Sequence, residues 1–143
     1  MATAIVLYGP KAVGKSWVAE VLRTHLGVAH WVRRRVVDAL ARHALVSVEA
    51  TGAWDSDWRL ADDLEVAGAR VLRVWVSAPR EVAMGRLAGR TSRRVPVSAE
   101  EASWIYDQAT ARAAGRRLDA WIDTGRPPDP AAVVAELRPL IQP

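Results

Sequence analysis

A short apolar run, Thr3 to Tyr8, meets the octet Gly9-Pro10-Lys11-Ala12-Val13-Gly14-Lys15-Ser16, and a stretch with helical spacing follows at once. The run is continuous and partly β-branched, which predicts a buried strand. Val18, Val21, Leu22 and Leu26 recur at helical intervals, and Gly27 ends them. The octet has the spacing G-x-x-x-x-G-K-S, and between a strand and a helix that spacing is a phosphate-binding loop. The physical need is for several backbone N–H groups pointing inward at polyphosphate oxygens. Gly9 and Gly14 permit the tight path and the close approach. The N-terminus of the following helix adds its partial positive charge. In such a loop Lys15 spans the β- and γ-phosphates of a nucleoside triphosphate and Ser16 places its hydroxyl on Mg²⁺. Lys11 offers a second cation, and Trp17 reads as helix packing.

The charge pattern supports an anionic ligand. The chain has 143 residues and a formal charge of +4. Of its 20 basic residues only Lys11 and Lys15 are lysines, and both fall inside the octet. Lysine is a compact charge on a flexible stem, suited to reaching a phosphate. The same lysine count excludes a guanine-reading Asn/Thr-Lys-x-Asp segment. The length fits one domain, residues 1–143, and is too short for a large motor. With no cysteine there is neither disulfide nor thiolate metal site. His25, His30 and His43 show no ligand spacing. No apolar run approaches 18 residues, so no membrane span is expected, and the expected compartment is the cytoplasm.

Along the chain, strands are predicted at 28–32, 45–49, 71–76 and 120–122, after the first at 3–8. Helices are predicted at 33–43, 58–67, 79–87, 98–114 and 129–141, besides the one after the octet. Ser98-Ala-Glu-Glu101 is a capping box, and Asp129 before Pro130 is an N-cap with proline at the first helical position. Residues 51–57 read as a connection, and residues 89–97, polar, basic and aperiodic, as a mobile loop. Alternating strands and helices call for a parallel sheet covered on both faces.

The octet, Val46-Ser-Val-Glu-Ala-Thr-Gly52, Val71 to Pro79, Arg86-Leu-Ala-Gly-Arg90 with Arg93 and Arg94, and Ile122-Asp-Thr-Gly-Arg126 resemble, in that order, the P-loop kinases of the nucleotide-kinase and shikimate-kinase-like group. The resemblance covers nearly the whole chain. It implies an α/β three-layer sandwich, with a five-stranded parallel sheet in the order 2-3-1-4-5. It also implies ATP and Mg²⁺, with the γ-phosphate moved to a hydroxyl of a small metabolite or nucleotide-like acceptor. In that family a carboxylate placed like Glu49 holds a Mg²⁺-bound water, an arginine placed like Arg90 packs on adenine or phosphates, and the loop after it closes as a lid. Arg126 falls where the family contacts adenine. Arg86, Arg90, Arg93 and Arg94 together form a basic cluster of the kind that stabilises charge on a transferring phosphoryl group.

The acceptor side departs from the family pattern. Relatives often carry an Asp at the end of the second strand, where this chain has Ala29-His30-Trp31. The interval 27–44 is short for an acceptor region, either reduced or lacking a segment. Asp55 and Asp57 are the best substitutes for the missing acid, with Asp55 or Ser56 equally suited to capping the next helix. Trp54 and Trp58 flank the same connection as an aromatic wall or as core. The expected partners are ATP and a small acceptor, with no nucleic acid and no membrane, in a monomer or homodimer. A non-catalytic ATP-binding module, an antibiotic-inactivating kinase and a polynucleotide-end kinase are the alternatives.

Overall fold

Strand β1 (Thr3–Tyr8) is buried at every position and lies in the middle of the sheet. The computed structural model describes residues 1–89 and 98–142. Five strands pair in parallel in the order β2-β3-β1-β4-β5, where β2 is Ala29–His30, β3 is Leu45–Ala50, β4 is Arg70–Ser77 and β5 is Ala120–Asp123. This is the order implied by the family resemblance. Successive side chains of a strand point to opposite faces, and β1 divides accordingly. Ala4, Val6 and Tyr8 join Val46, Val48, Trp58, Leu64 and Ile105 on one face. Ile5 and Leu7 join Val18, Leu22, Val74, Ile122 and Leu137 on the other.

The first core is covered by α2 (Val36–Ala39), α3 (Asp55–Val66) and α5 (Ala99–Ala113). The second is covered by α1 (Lys15–Leu26), α4 (Arg80–Ala88) and α6 (Pro130–Ile141). Helices on both faces make this the three-layer α/β sandwich expected of a strand–helix alternation. Two caps form as the sequence predicts. The Ser98 side chain accepts from the Glu101 N–H at 3.1 Å and the Asp129 side chain from the Ala131 N–H at 3.1 Å.

Three elements differ from the sequence pattern. The strand expected at 28–32 is only Ala29–His30. The expected helix at 33–43 is a 3₁₀ turn, Arg33–Arg35, followed by the single turn of α2. Three adjacent cations oppose the positive end of a helix dipole, neither N-cap side chain caps it, and Arg33 is drawn away to Asp57 at 2.7 Å. Helix α3, in turn, starts at Asp55 rather than Trp58. Asp57 in its first turn accepts the N–H groups of Gly52 at 3.0 Å and Trp54 at 3.4 Å, which extends the helix backward. The N-cap position is therefore Trp54, not Asp55 or Ser56.

Candidate phosphate-binding site

The parallel register sets Leu7 beside Glu49 and Tyr8 beside Ala50, so β1 runs into the glycine loop next to the carboxylate of the penultimate residue of β3. The carboxyl ends of parallel strands are where open α/β sheets bind ligands. A Cβ at Gly9 would collide with the Val76 carbonyl oxygen and stand 2.8 Å from Val13 Cγ2, so only glycine passes there. Ala12 (φ 64°) and Gly14 (φ 102°) take left-handed backbone before α1 begins. Alternation of this kind is how successive N–H groups form an anion-binding nest.

The loop is held from outside. Val13 O accepts from the Thr124 hydroxyl, and from Arg86 Nη1 at 3.4 Å. Arg86 also donates to Thr124 Oγ1 at 3.0 Å and to Thr124 O at 2.5 Å. A trans peptide points its C=O and N–H in opposite directions. The clasp on Val13 O therefore turns the Gly14 N–H away from Thr124 and Arg86.

Inside, Lys15 is 9% exposed, and its ammonium donates to Gly9 O, and to Pro10 O at 3.1 Å. Ser16 Oγ donates to the two Glu49 carboxylate oxygens at 3.0 and 3.3 Å. His30 Nε2 is 3.0 Å from Glu49 Oε2, and its Nδ1 is 2.7 Å from Ser47 Oγ. Burial pushes the Glu49 carboxyl upward. The His30 hydrogen bond, the Lys15 charge and the Ser16 hydroxyl outweigh it and hold the group below its ordinary value. Lys11, Lys15, Ser16, Glu49 and Thr51 line one cavity of about 380 Å³. Behind Trp17 lies a second, of about 240 Å³, bounded by Gly14, Arg86, Thr124 and Pro128. Arg126 lines a third, of about 400 Å³, with Trp17, Trp121 and Pro128.

The predicted site residues separate into groups. The octet, Glu49 and Arg86 come together. Arg126 stands exposed at the third cavity. Asp55 is exposed and paired with Arg112 at 3.2 Å and Arg116 at 3.4 Å. Asp57 is 6% exposed, and besides the two amides its carboxylate accepts from the Thr51 hydroxyl at 3.0 Å and from Arg33. The two tryptophans divide as well. Trp58 is core, stacked on Tyr8 at 4.1 Å, with its indole N–H on Gly52 O at 2.9 Å. Trp54 is 45% exposed, against Trp104 at 5.8 Å. Arg90, Arg93 and Arg94, with the expected lid at 89–97, lie outside the described residues apart from Gly89.

Sequence reasoning offered His30 as a possible base or a packed histidine and missed its contact with Glu49, as it missed the role of Thr124 and the cavity-lining face of Trp17. The signal for His30 was its strand position, since it pairs with Ser47 two residues before Glu49. Thr124 carries no local signal, because its partner Val13 is distant in sequence.

A glycine loop on the central strand of a 2-3-1-4-5 parallel sheet defines the fold of the small P-loop kinases. No protein-family model matches the sequence, and no curated protein matches it. Solved structures do match. Shikimate kinase from Acinetobacter baumannii in complex with shikimate has a TM-score of 0.69 at 18% identity, covering 99% of this chain and 94% of that one. A gluconokinase from Sinorhizobium meliloti 1021 has 0.63 at 19%, covering 97% and 91%. Shikimate kinase from Bacteroides thetaiotaomicron has 0.67 at 13%, covering 99% of both. At these identities what is shared is the fold. Among the described residues, no helix is long and apolar enough to cross a membrane.

Proposed function

We propose that the protein is an ATP-dependent phosphotransferase that moves the γ-phosphoryl group to a hydroxyl of a small acceptor. The observation that carries this reading is the convergence of Lys11, Lys15, Ser16 and Glu49 on one cavity at the end of β1. The structural neighbours, small-molecule kinases by name, support the reaction class.

The donor set suits Mg²⁺. Ser16 Oγ and the Glu49 carboxylate are hard oxygen ligands already 3.0 Å apart. Mg²⁺ keeps several waters and takes substrate phosphates, so two protein oxygens suffice. Among the described residues no group of three or more His, Cys, Asp or Glu forms a cage of its own. Bound there, the ion would neutralise phosphate charge.

The remaining work falls to the chain. The loop amides and the start of α1 receive the polyphosphate oxygens. Lys15 exchanges its two carbonyl partners for phosphate oxygens. The acceptor oxygen forms a bond to the γ-phosphorus while the bond from phosphorus to the β–γ bridging oxygen breaks; ADP leaves, and the acceptor's hydroxyl proton passes to solvent water. Such a transition state is loose and demands positioning and charge stabilisation more than a strong base. We therefore assign Asp57, with its four hydrogen-bond donors, to holding the turn 51–54 and the start of α3 rather than to proton removal. Asp55, tied to α5, stands beside it in the same turn. Arg90, Arg93 and Arg94 supply further cations in this proposal. Replacing Arg93 and Arg94 together is expected to lower turnover more than ATP affinity.

Isothermal titration with ATP and Mg²⁺, paired with ADP release across a panel of hydroxylated metabolites, tests the reading. ATP binding with acceptor-dependent ADP release is expected. Background release with every acceptor, while ATP still binds, would leave a non-catalytic nucleotide module. That second reading is favoured by one observation: both candidate acids, Asp55 and Asp57, are already engaged by arginines.

A further inference from the structure

Glu49 is, with Ser16, a ligand that the nucleotide reading gives to Mg²⁺, yet its backbone position alone does not aim its carboxylate. Two side chains do. Ser16 Oγ donates to it from α1, and His30 Nε2 lies 3.0 Å away on the neighbouring strand β2. A hydroxyl that ligates a metal through an oxygen lone pair keeps its O–H free to donate. His30 is the second partner of the carboxylate, and the one that does not itself touch the ion.

His30 is itself held. Its Nδ1 is 2.7 Å from the Ser47 hydroxyl, which is fully buried in β3. An ionised carboxylate only accepts hydrogen bonds, so Nε2 must carry the proton that faces Glu49. In the neutral ring Nδ1 is then the acceptor, and Ser47 donates to it. In the charged ring Nδ1 donates to Ser47 Oγ. Either way Nε2–H points at Glu49, so the aim does not depend on the protonation of the ring.

We propose that His30 is a positioning residue for the metal. Seated on Ser47, it orients the Glu49 carboxylate toward the ion that Ser16 shares. It sits at the end of β2, so the strand end that the sequence left without an acid acts through a neighbouring one. The role rests on the nucleotide reading above. Outer-shell partners of this kind typically change metal affinity about 10- to 100-fold.

The test uses the full chain with a non-hydrolysable ATP analogue. Mn²⁺, a spin-active stand-in for Mg²⁺, is titrated by electron paramagnetic resonance. The analogue alone is titrated calorimetrically in chelator. His30→Ala is expected to weaken Mn²⁺ uptake by about tenfold or more, with metal-free analogue affinity unchanged within about twofold. His30→Gln, whose amide N–H reaches about as far as Nε2, is expected to recover most of the loss. Ser47→Ala is expected to give a smaller loss in the same direction. Mn²⁺ affinity unchanged in His30→Ala would overturn the role of His30 and leave the nucleotide reading standing. An equal fall in metal-free affinity, or no rescue by Gln, would likewise overturn it by showing a general disturbance of the site. A wild-type chain that binds neither analogue nor Mn²⁺ would overturn both readings.

Discussion

Lys15 holds its charge under its own loop, on two carbonyl oxygens, with little exposure. A polyphosphate must draw it off those carbonyls, and it returns charge-assisted bonds from the ammonium to phosphate oxygens. Lys15→Ala is expected to cut turnover on the order of 100-fold or more, the scale of losing one oriented donor to transition-state charge. Circular dichroism should show a fold unchanged. Unaltered turnover would contradict the site. Gly14 gives a purely structural test. Its φ of 102° disfavours any side chain, and a Cβ would stand 3.3 Å from Thr124 Cγ2. Gly14→Ala is expected to cost about 1–2 kcal/mol in urea unfolding and to weaken nucleotide binding in parallel. Glu49 makes a prediction in acid. Its carboxyl titrates lower in the folded chain than the ordinary 4.5 it regains on unfolding. The stabilisation is therefore complete above that pH and is lost as the pH falls through the folded value. Melting curves of wild type and Glu49→Gln should differ near neutrality and draw together in acid. A gap that persists in acid would assign the difference to packing instead.

At the scale of elements, the strands and most helices were legible because their causes are local. An apolar run between breakers, a Ser or Asp cap, or a proline at a first turn acts within a few residues. The elements misread are those governed by distant partners. Helix α3 starts early because Asp57 gathers Gly52, Trp54, Thr51 and Arg33 around one carboxylate. The stretch after β2 loses most of its helix because Arg33 answers that same carboxylate. The octet of the site was legible for the same local reason, while the Arg86–Thr124 clasp and the His30–Glu49 contact depend on strand register. Trp58 shows what the first turn of α3 contributes to packing against the β3–α3 connection. It stacks on Tyr8 and ties its indole to Gly52 O, and Tyr8 is buried deeply enough for its phenol to be pushed up to about 12. Trp58→Ala is expected to cost about 3–5 kcal/mol, read as a lowered urea midpoint at constant slope.

Across the whole molecule, one central strand feeds two cores, and the ligand end of that strand is where both stop. A ligand that binds only the folded chain stabilises both cores at once. At a hundredfold excess over its dissociation constant, ATP with Mg²⁺ would add about 2.7 kcal/mol. For a domain of this size that raises the melting temperature by several degrees, on the order of 2–4 °C per kcal/mol. Lys15→Ala should lose most of the increment. An increment of the same size with ATP and with inorganic phosphate would point to an anion site without nucleotide preference.

The grip of Thr124 and Arg86 on the far side of Val13 has a kinetic meaning. Because that peptide is pinned from behind, its N–H is fixed on the side away from Thr124 and Arg86, where the nucleotide reading places the anion. Little ordering entropy is left to be lost at capture. Association should then run near the limit set by diffusion and charge steering, with differences among nucleotides showing in how slowly each one leaves. Cutting the grip with Thr124→Val would shift that balance, making capture slower and more temperature-dependent while leaving every phosphate-facing side chain in place.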